Sequence, residues 1–282
     1  MRNATRGLLL GLCLILAALH PALAEAKPFP HGSADTPAGT TLLFSVFASD
    51  PDYAWRPDAA GDQNRIMAIR RHLGLAAAYL EAVAGEYGQE AAVLWDFEAD
   101  PGLCRQAAFD VSLTDEALND EVVWAYLDAE IDLPALLRQY GADNCVFFVF
   151  LNTDVACPAV TCTRSWYEGM PAPYEIVYLY YMDSGLVNCP AVYAHELLHA
   201  FGAPDLYMED AAFGIDAAFV AWVGEHFESD IMYNCSDPAC DEYVYDRIAN
   251  PVGELTAYYI GLTDASETAA RFGLAPSEHA GD

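Results

Sequence analysis

The chain has 282 residues and carries 12 Lys and Arg against 42 Asp and Glu, a formal net charge of −30. So negative a surface repels phosphate backbones and anionic lipids, which disfavours nucleic-acid and membrane-surface binding; its simplest use is solubility. The 54% hydrophobic content and five tryptophans exclude a disordered chain.

MRNATR, the apolar run GLLLGLCLILAAL and the small residues Ala22-Leu23-Ala24 have the layout of a secretory signal peptide over residues 1–24. The run is shorter than the roughly 20 residues of a membrane span. A secreted chain, extracellular or periplasmic, is therefore expected, with no membrane attachment once the signal is removed. Residues 25–39 make a short N-terminal segment, too small for a folded inhibitory prodomain. An oxidising compartment favours disulfide bonds, and CPAVTC (157–162) and CSDPAC (235–240) each offer a tight loop to close, although sequence does not set connectivity.

From residue 40 the pattern alternates. TLLFSVFA (41–48) reads as a buried strand, and residues 63–88 have helical spacing in Ile66, Ile69, Leu73, Ala77, Leu80 and Val83. AAVLWDFE (91–98) reads as a strand, residues 113–141 as helix broken near Pro134, and NCVFFVFLNTD (144–154) as a strongly apolar strand. PYEIVYLYYMD (173–183) is another strand. Pro190 suits the first position of a helix over residues 190–201, and Gly202 its left-handed stop. Later, Asn250 and Pro251 open a helix to about Leu262, and DASE (264–267) forms a capping box for a short helix that Gly273 ends. This order predicts an α/β or α+β fold with a mostly parallel sheet, in one domain over residues 40–275. Its N-terminal subdomain would cover 40–202 and a smaller helical C-terminal one 203–275.

The helix at 190–201 carries HELLHAFGAPDLY (195–207). His195 and His199, four residues apart, share one helix face and can converge on one ion, while Glu196 can reach a water on that ion as general base. From this composition H-E-x-x-H arises by chance in roughly one sequence in a hundred. Requiring Gly202 and an acid or histidine at 205 lowers that to roughly one in ten thousand, so coincidence is a poor explanation. Gly202 has a mechanical use, since a positive φ swings the chain back and lets Pro204 stiffen the approach of Asp205.

HELLHAFGAPD resembles the metzincin zinc-peptidase pattern H-E-x-x-H-x-x-G-x-x-H, with aspartate as the last ligand. It is closer still to secreted metzincins related to snapalysin and to immune-inhibitor-like peptidases. SDIMY places Met232 27 residues after Asp205, where the resemblance implies a methionine turn beneath the metal. It also implies one catalytic Zn²⁺ held by His195, His199 and Asp205, with Glu196 as base, Gly202 and Met232 as structural support, and a protein or peptide substrate. Tyr233 and Tyr207 are candidate oxyanion partners, although in some metzincins the tyrosine follows the methionine by two residues and here Tyr233 follows directly.

Other ligand sets are Glu225 or Glu228, at thermolysin-like spacing, and His226. They leave the Gly202 turn and SDIMY without purpose. His31, His72 and His279 stand outside any cluster. There is no G-x-S-x-G, phosphate loop or G-x-G-x-x-G, and the acidic runs LTDEALNDE and DLYMEDAAFGID, candidates for Ca²⁺, lack EF-hand spacing. The expected function is a secreted zinc endopeptidase. The alternatives are a secreted metal-binding or protein-binding module without turnover, or a zinc amidase acting on a non-protein amide such as peptidoglycan.

Overall fold

The computed structural model describes residues 27–34, 36–164 and 174–277. The expected signal peptide and His279 lie outside them. In chain order the elements are β1 (Lys27–Phe29), β2 (Gly39–Ser49), α1 (Ala60–Glu86), β3 (Ala91–Leu94), β4 (Cys104–Ala108), α2 (Glu116–Glu130), α3 (Leu133–Tyr140), β5 (Asn144–Leu151), β6 (Cys162–Arg164) and β7 (Ile176–Tyr180). There follow β8 (Met182–Asp183), β9 (Leu186–Val187), α4 (Pro190–His199), α5 (Ala217–His226), α6 (Glu254–Tyr259), α7 (Glu267–Phe272) and β10 (Leu274–Pro276).

The fold is mixed α/β. Its main sheet has the order β3-β2-β5-β7-β6, with β4 pairing the second half of β2 beyond β3. Every pairing in it is parallel except β6 with β7. The central strands carry continuous apolar runs because both faces are covered: β5 is buried from Cys145 to Leu151 and β7 throughout. Alternation along β6 and β7 sorts those faces. Phe150, opposite Leu179, meets Tyr193 of α4, whereas Tyr180 reaches Leu113 and Arg164 reaches Asp120 of α2. Helices α1 and α4 pack together on the first face.

Helix α1 follows the expected spacing, burying Ile69, Leu73, Ala76, Ala77, Leu80 and Val83. Helix α4 is buried from Pro190 to Leu198 and so carries the histidines inside the protein, not on a solvated face. One hydrophobic core extends from Phe29 to Leu274, and β1 pairs in parallel with β10, tying the two ends of the described chain together.

Several expectations change. The strand at 91–98 stops at Leu94, because the Asp96 carboxylate accepts from the Glu98 and Ala99 N–H groups and from Arg70, which makes a turn. Asn250 caps no helix. It is buried, its amide donates to the Asn234 and Ser236 carbonyls, and α6 begins only after Gly253. In DASE the cap is Ser266, whose Oγ accepts from Ala269 N–H, so Asp264 does not close a capping box. Strands β1, β4, β6, β9 and β10 and helix α5 were not anticipated; the start of α5 is marked by Asp216, whose side chain caps it.

Among the described residues no disulfide joins Cys157 to Cys162 or Cys235 to Cys240. Short spacing says nothing about where the side chains point. Cys162 is held opposite Tyr178 in the β6–β7 ladder, and Cys157 is buried with its Sγ toward the Ala159 carbonyl.

Candidate metal centre

The two histidine rings of α4 stand 4.9 Å apart and perpendicular, at 89°. Each has its Nδ1 against a backbone carbonyl: His195 at 2.9 Å from Ile231 O and His199 at 2.7 Å from Ala203 O. A carbonyl only accepts, so both Nδ1 atoms carry hydrogen and both Nε2 atoms face inward. There they meet Asp205 Oδ1, at 3.0 Å from His195 Nε2 and 3.6 Å from His199 Nε2.

That arrangement asks for a cation. A neutral His195 has a hydrogen on one nitrogen only, yet both of its nitrogens face oxygen acceptors. Either a second proton or a metal ion must lie between Nε2 and Oδ1. The ligand atoms of all three residues lie within 4.8 Å of one another. A tetrahedral zinc with bonds of about 2.0 to 2.2 Å sets its ligand atoms about 3.3 to 3.6 Å apart, and the observed 3.0 and 3.6 Å bracket that spacing closely enough for small side-chain adjustments. The donor set of two imidazoles and one carboxylate suits a divalent ion of that kind.

The electrostatics agree. Burial works to raise the Asp205 pKa, but the His195 hydrogen bond, the two imidazoles and the Tyr207 hydroxyl hold it down to about 2. Burial works to lower the His195 pKa, yet the Cys235 thiol, Asp205 and Glu196 beside it raise it well above the usual histidine value. The Asp205 and Glu196 carboxylates favour positive charge at the cluster's centre.

Asp205 reaches the site through the chain reversal at Gly202, whose φ is +89°. The next residue, Leu206, donates its N–H to Met232 O at 3.0 Å, which fixes the loop to the segment below. That segment is organised by Asp230, which is 1% exposed and whose carboxylate accepts from Met232 N–H, Gly253 N–H and the Thr256 hydroxyl, each at 2.8 Å. Burial raises the Asp230 pKa against those hydrogen bonds. Met232 itself is fully buried, and the contributions of this stretch to the site are the Ile231 and Met232 carbonyls.

Glu196 is 5% exposed, and its Oε2 lies 4.0 Å from His199 Nε2. With the three candidate ligands it opens on a cleft of about 570 Å³, walled also by Val160, Thr163, Arg164, Met208 and Phe213.

The two candidate tyrosines separate. Tyr207 lies on the cleft, stacked against His195 at 6.3 Å; its hydroxyl helps to lower the Asp205 pKa, and burial raises its own. The Tyr233 hydroxyl instead packs on Gly224 of α5, away from the cleft. Glu225, Glu228 and His226 are exposed around the end of α5, where His226 stacks on Trp222 at 4.1 Å, so none joins the cluster. In the acidic run at 205–216, Asp210 and Asp216 accept from Ala212 and Phe219 N–H groups as caps, and no other His, Cys, Asp or Glu cluster of three converges among the described residues. His31 bonds to the Ser277 carbonyl and His72 packs on Tyr193.

Sequence alone did not single out Thr163, whose hydroxyl reaches Glu196, or Asp230. Both act across elements distant in the chain and have no local signature. Comparison with known protein families gives no match, and no curated protein matches the chain.

Proposed function

We propose that the chain is a secreted zinc-dependent endopeptidase of metzincin type. The observation that carries this is the His195, His199 and Asp205 cluster, with both Nδ1 atoms engaged, both Nε2 atoms turned to one carboxylate oxygen, and Glu196 alongside. The glycine turn and the buried Met232 segment under the site support the family assignment, and the leader-like first 24 residues support export.

A zinc ion held there supplies Lewis acidity, making a water acidic near neutral pH and polarising a carbonyl. Three protein ligands leave room for a reacting partner, unlike the four of a structural site. Glu196 is the residue that takes a proton from water and returns it to the leaving amine. Its buried place on the cleft wall beside His199 suits both transfers. Strand β6 lines one side of the cleft, which suits an extended peptide beside the cluster, and Tyr207 is the candidate donor to a developing oxyanion.

The test is hydrolysis of casein, gelatin and a mixed peptide library by the zinc-loaded chain, with Glu196→Ala as control. Cleavage by the wild type and none by a variant that still binds zinc is the expected result. One equivalent of zinc with no hydrolysis of any peptide would leave a binding module or a non-protein amidase.

A further inference from the structure

Glu196 is held from outside its own helix. Thr163 Oγ1 lies 2.7 Å from Glu196 Oε2 and 3.2 Å from the Glu196 carbonyl, and among the described residues no other hydrogen bond reaches that carboxylate. Both groups line the cleft. Strand β6 is itself fixed: Thr163 sits opposite Val177 on the α4 face, and on the other face Arg164 Nε pairs with Asp120 Oδ1 at 3.1 Å. A β-branched side chain on a paired strand has little χ1 freedom, so the hydroxyl is a rigid donor.

We propose that Thr163 is a positioning residue for Glu196, clamping one carboxylate oxygen so that the side chain stays in a single orientation beside His199. A glutamate has three rotatable bonds, and a base that wanders from its proton loses much of its effect. The threonine touches neither water nor substrate in this role; it acts through Glu196. The kinetic consequence rests on the peptidase reading, whereas the structural one does not.

Two variants test it. Thr163→Val keeps the shape and strand preference but removes the donor, and Thr163→Ser keeps the donor. Crystal structures are expected to show the Glu196 carboxylate displaced or in several conformations in Thr163→Val and in place in Thr163→Ser. In peptide hydrolysis, Thr163→Val is expected to lower kcat about 10-fold or more with KM within about twofold, and Thr163→Ser to restore most of it. Zinc affinity by competition should match the wild type in both, since no ligand changes. A Glu196 carboxylate that stays put in Thr163→Val, or a serine variant as impaired as the valine one, overturns the proposal. Should the wild type cleave nothing while Glu196 moves in Thr163→Val, the positioning role stands and the peptidase reading falls.

Discussion

Gly32 and Gly202 meet backbone to backbone: a Cβ on Gly202 would lie 2.9 Å from the Gly32 nitrogen, and one on Gly32 would overlap the Ala200 carbonyl. The N-terminal segment thus presses on the reversal that delivers Asp205, and Ala34 N–H donates to Ala200 O at 3.0 Å beside it. Ser33 adds hydrogen bonds from its N–H and hydroxyl to the buried Glu175 at the start of β7. Residues far apart in the chain therefore cooperate in shaping the turn between the second and third candidate ligands.

Alanine at either glycine should loosen that turn. Gly202→Ala combines a left-handed φ with a clash and is expected to cost about 3 kcal/mol in urea unfolding, the sum of backbone strain and overpacking. Gly32→Ala lacks the positive φ, but its Cβ would overlap the Ala200 backbone, so it should cost at least as much and weaken zinc binding by about 10-fold in a competition titration. Wild-type zinc affinity in both would show that the contact does not position Asp205.

Asp205→Ala should lower zinc affinity by at least about 100-fold while leaving the far-ultraviolet circular dichroism unchanged. The residue is peripheral to the core, so the sheet has no need of it. Glu196→Ala should bind one zinc as the wild type does. Equal zinc affinity in wild type and Asp205→Ala would remove the aspartate from the ligand set.

The tyrosines give opposite expectations. Tyr207→Phe removes the hydroxyl that helps to keep Asp205 ionised and should reduce activity or zinc affinity by about 10-fold. Tyr233→Phe, whose hydroxyl faces Gly224, should leave both within about twofold. The reverse pattern in steady-state kinetics and metal titration would assign the role to Tyr233.

His72 sets an acid dependence of stability. It is 5% exposed, and burial, aided by the nearby Arg71 charge and opposed by a hydrogen bond to the Asn188 backbone, lowers its pKa to about 4. Unfolding frees it to protonate near 6.5, so the stability it confers is present above that pH and drains as pH falls toward about 4, by roughly 3 kcal/mol in all. His72→Gln should flatten the urea-unfolding free energy between those limits. An unchanged slope would mean that the ring titrates normally in the folded protein.

The spacing of His195, Glu196 and His199 could be read directly, because a helix converts four residues of sequence into one face. Gly202 and Asp205 were legible for a similar reason: a left-handed residue just past a helix end reverses the chain locally. The apolar runs of β2, β5 and β7 announced a buried, mostly parallel sheet. The short edge elements β1, β4, β6 and β10 did not announce themselves, since three to five residues carry too little periodicity.

What sequence determined, then, is local: which residue types stand at helical and turn spacing, and hence the donor set of His195, His199 and Asp205 with a glutamate beside it. Tertiary structure decided the rest. It gave Nδ1 of His195 to the Ile231 carbonyl, sent Tyr207 to the cleft and Tyr233 to Gly224, brought Thr163 to Glu196 and left the cysteine pairs unjoined. These contacts join positions up to 36 residues apart at the site, as for His195 and Ile231. Their directions follow from how β6, α4 and the Asp230 segment pack, and no local pattern encodes that packing.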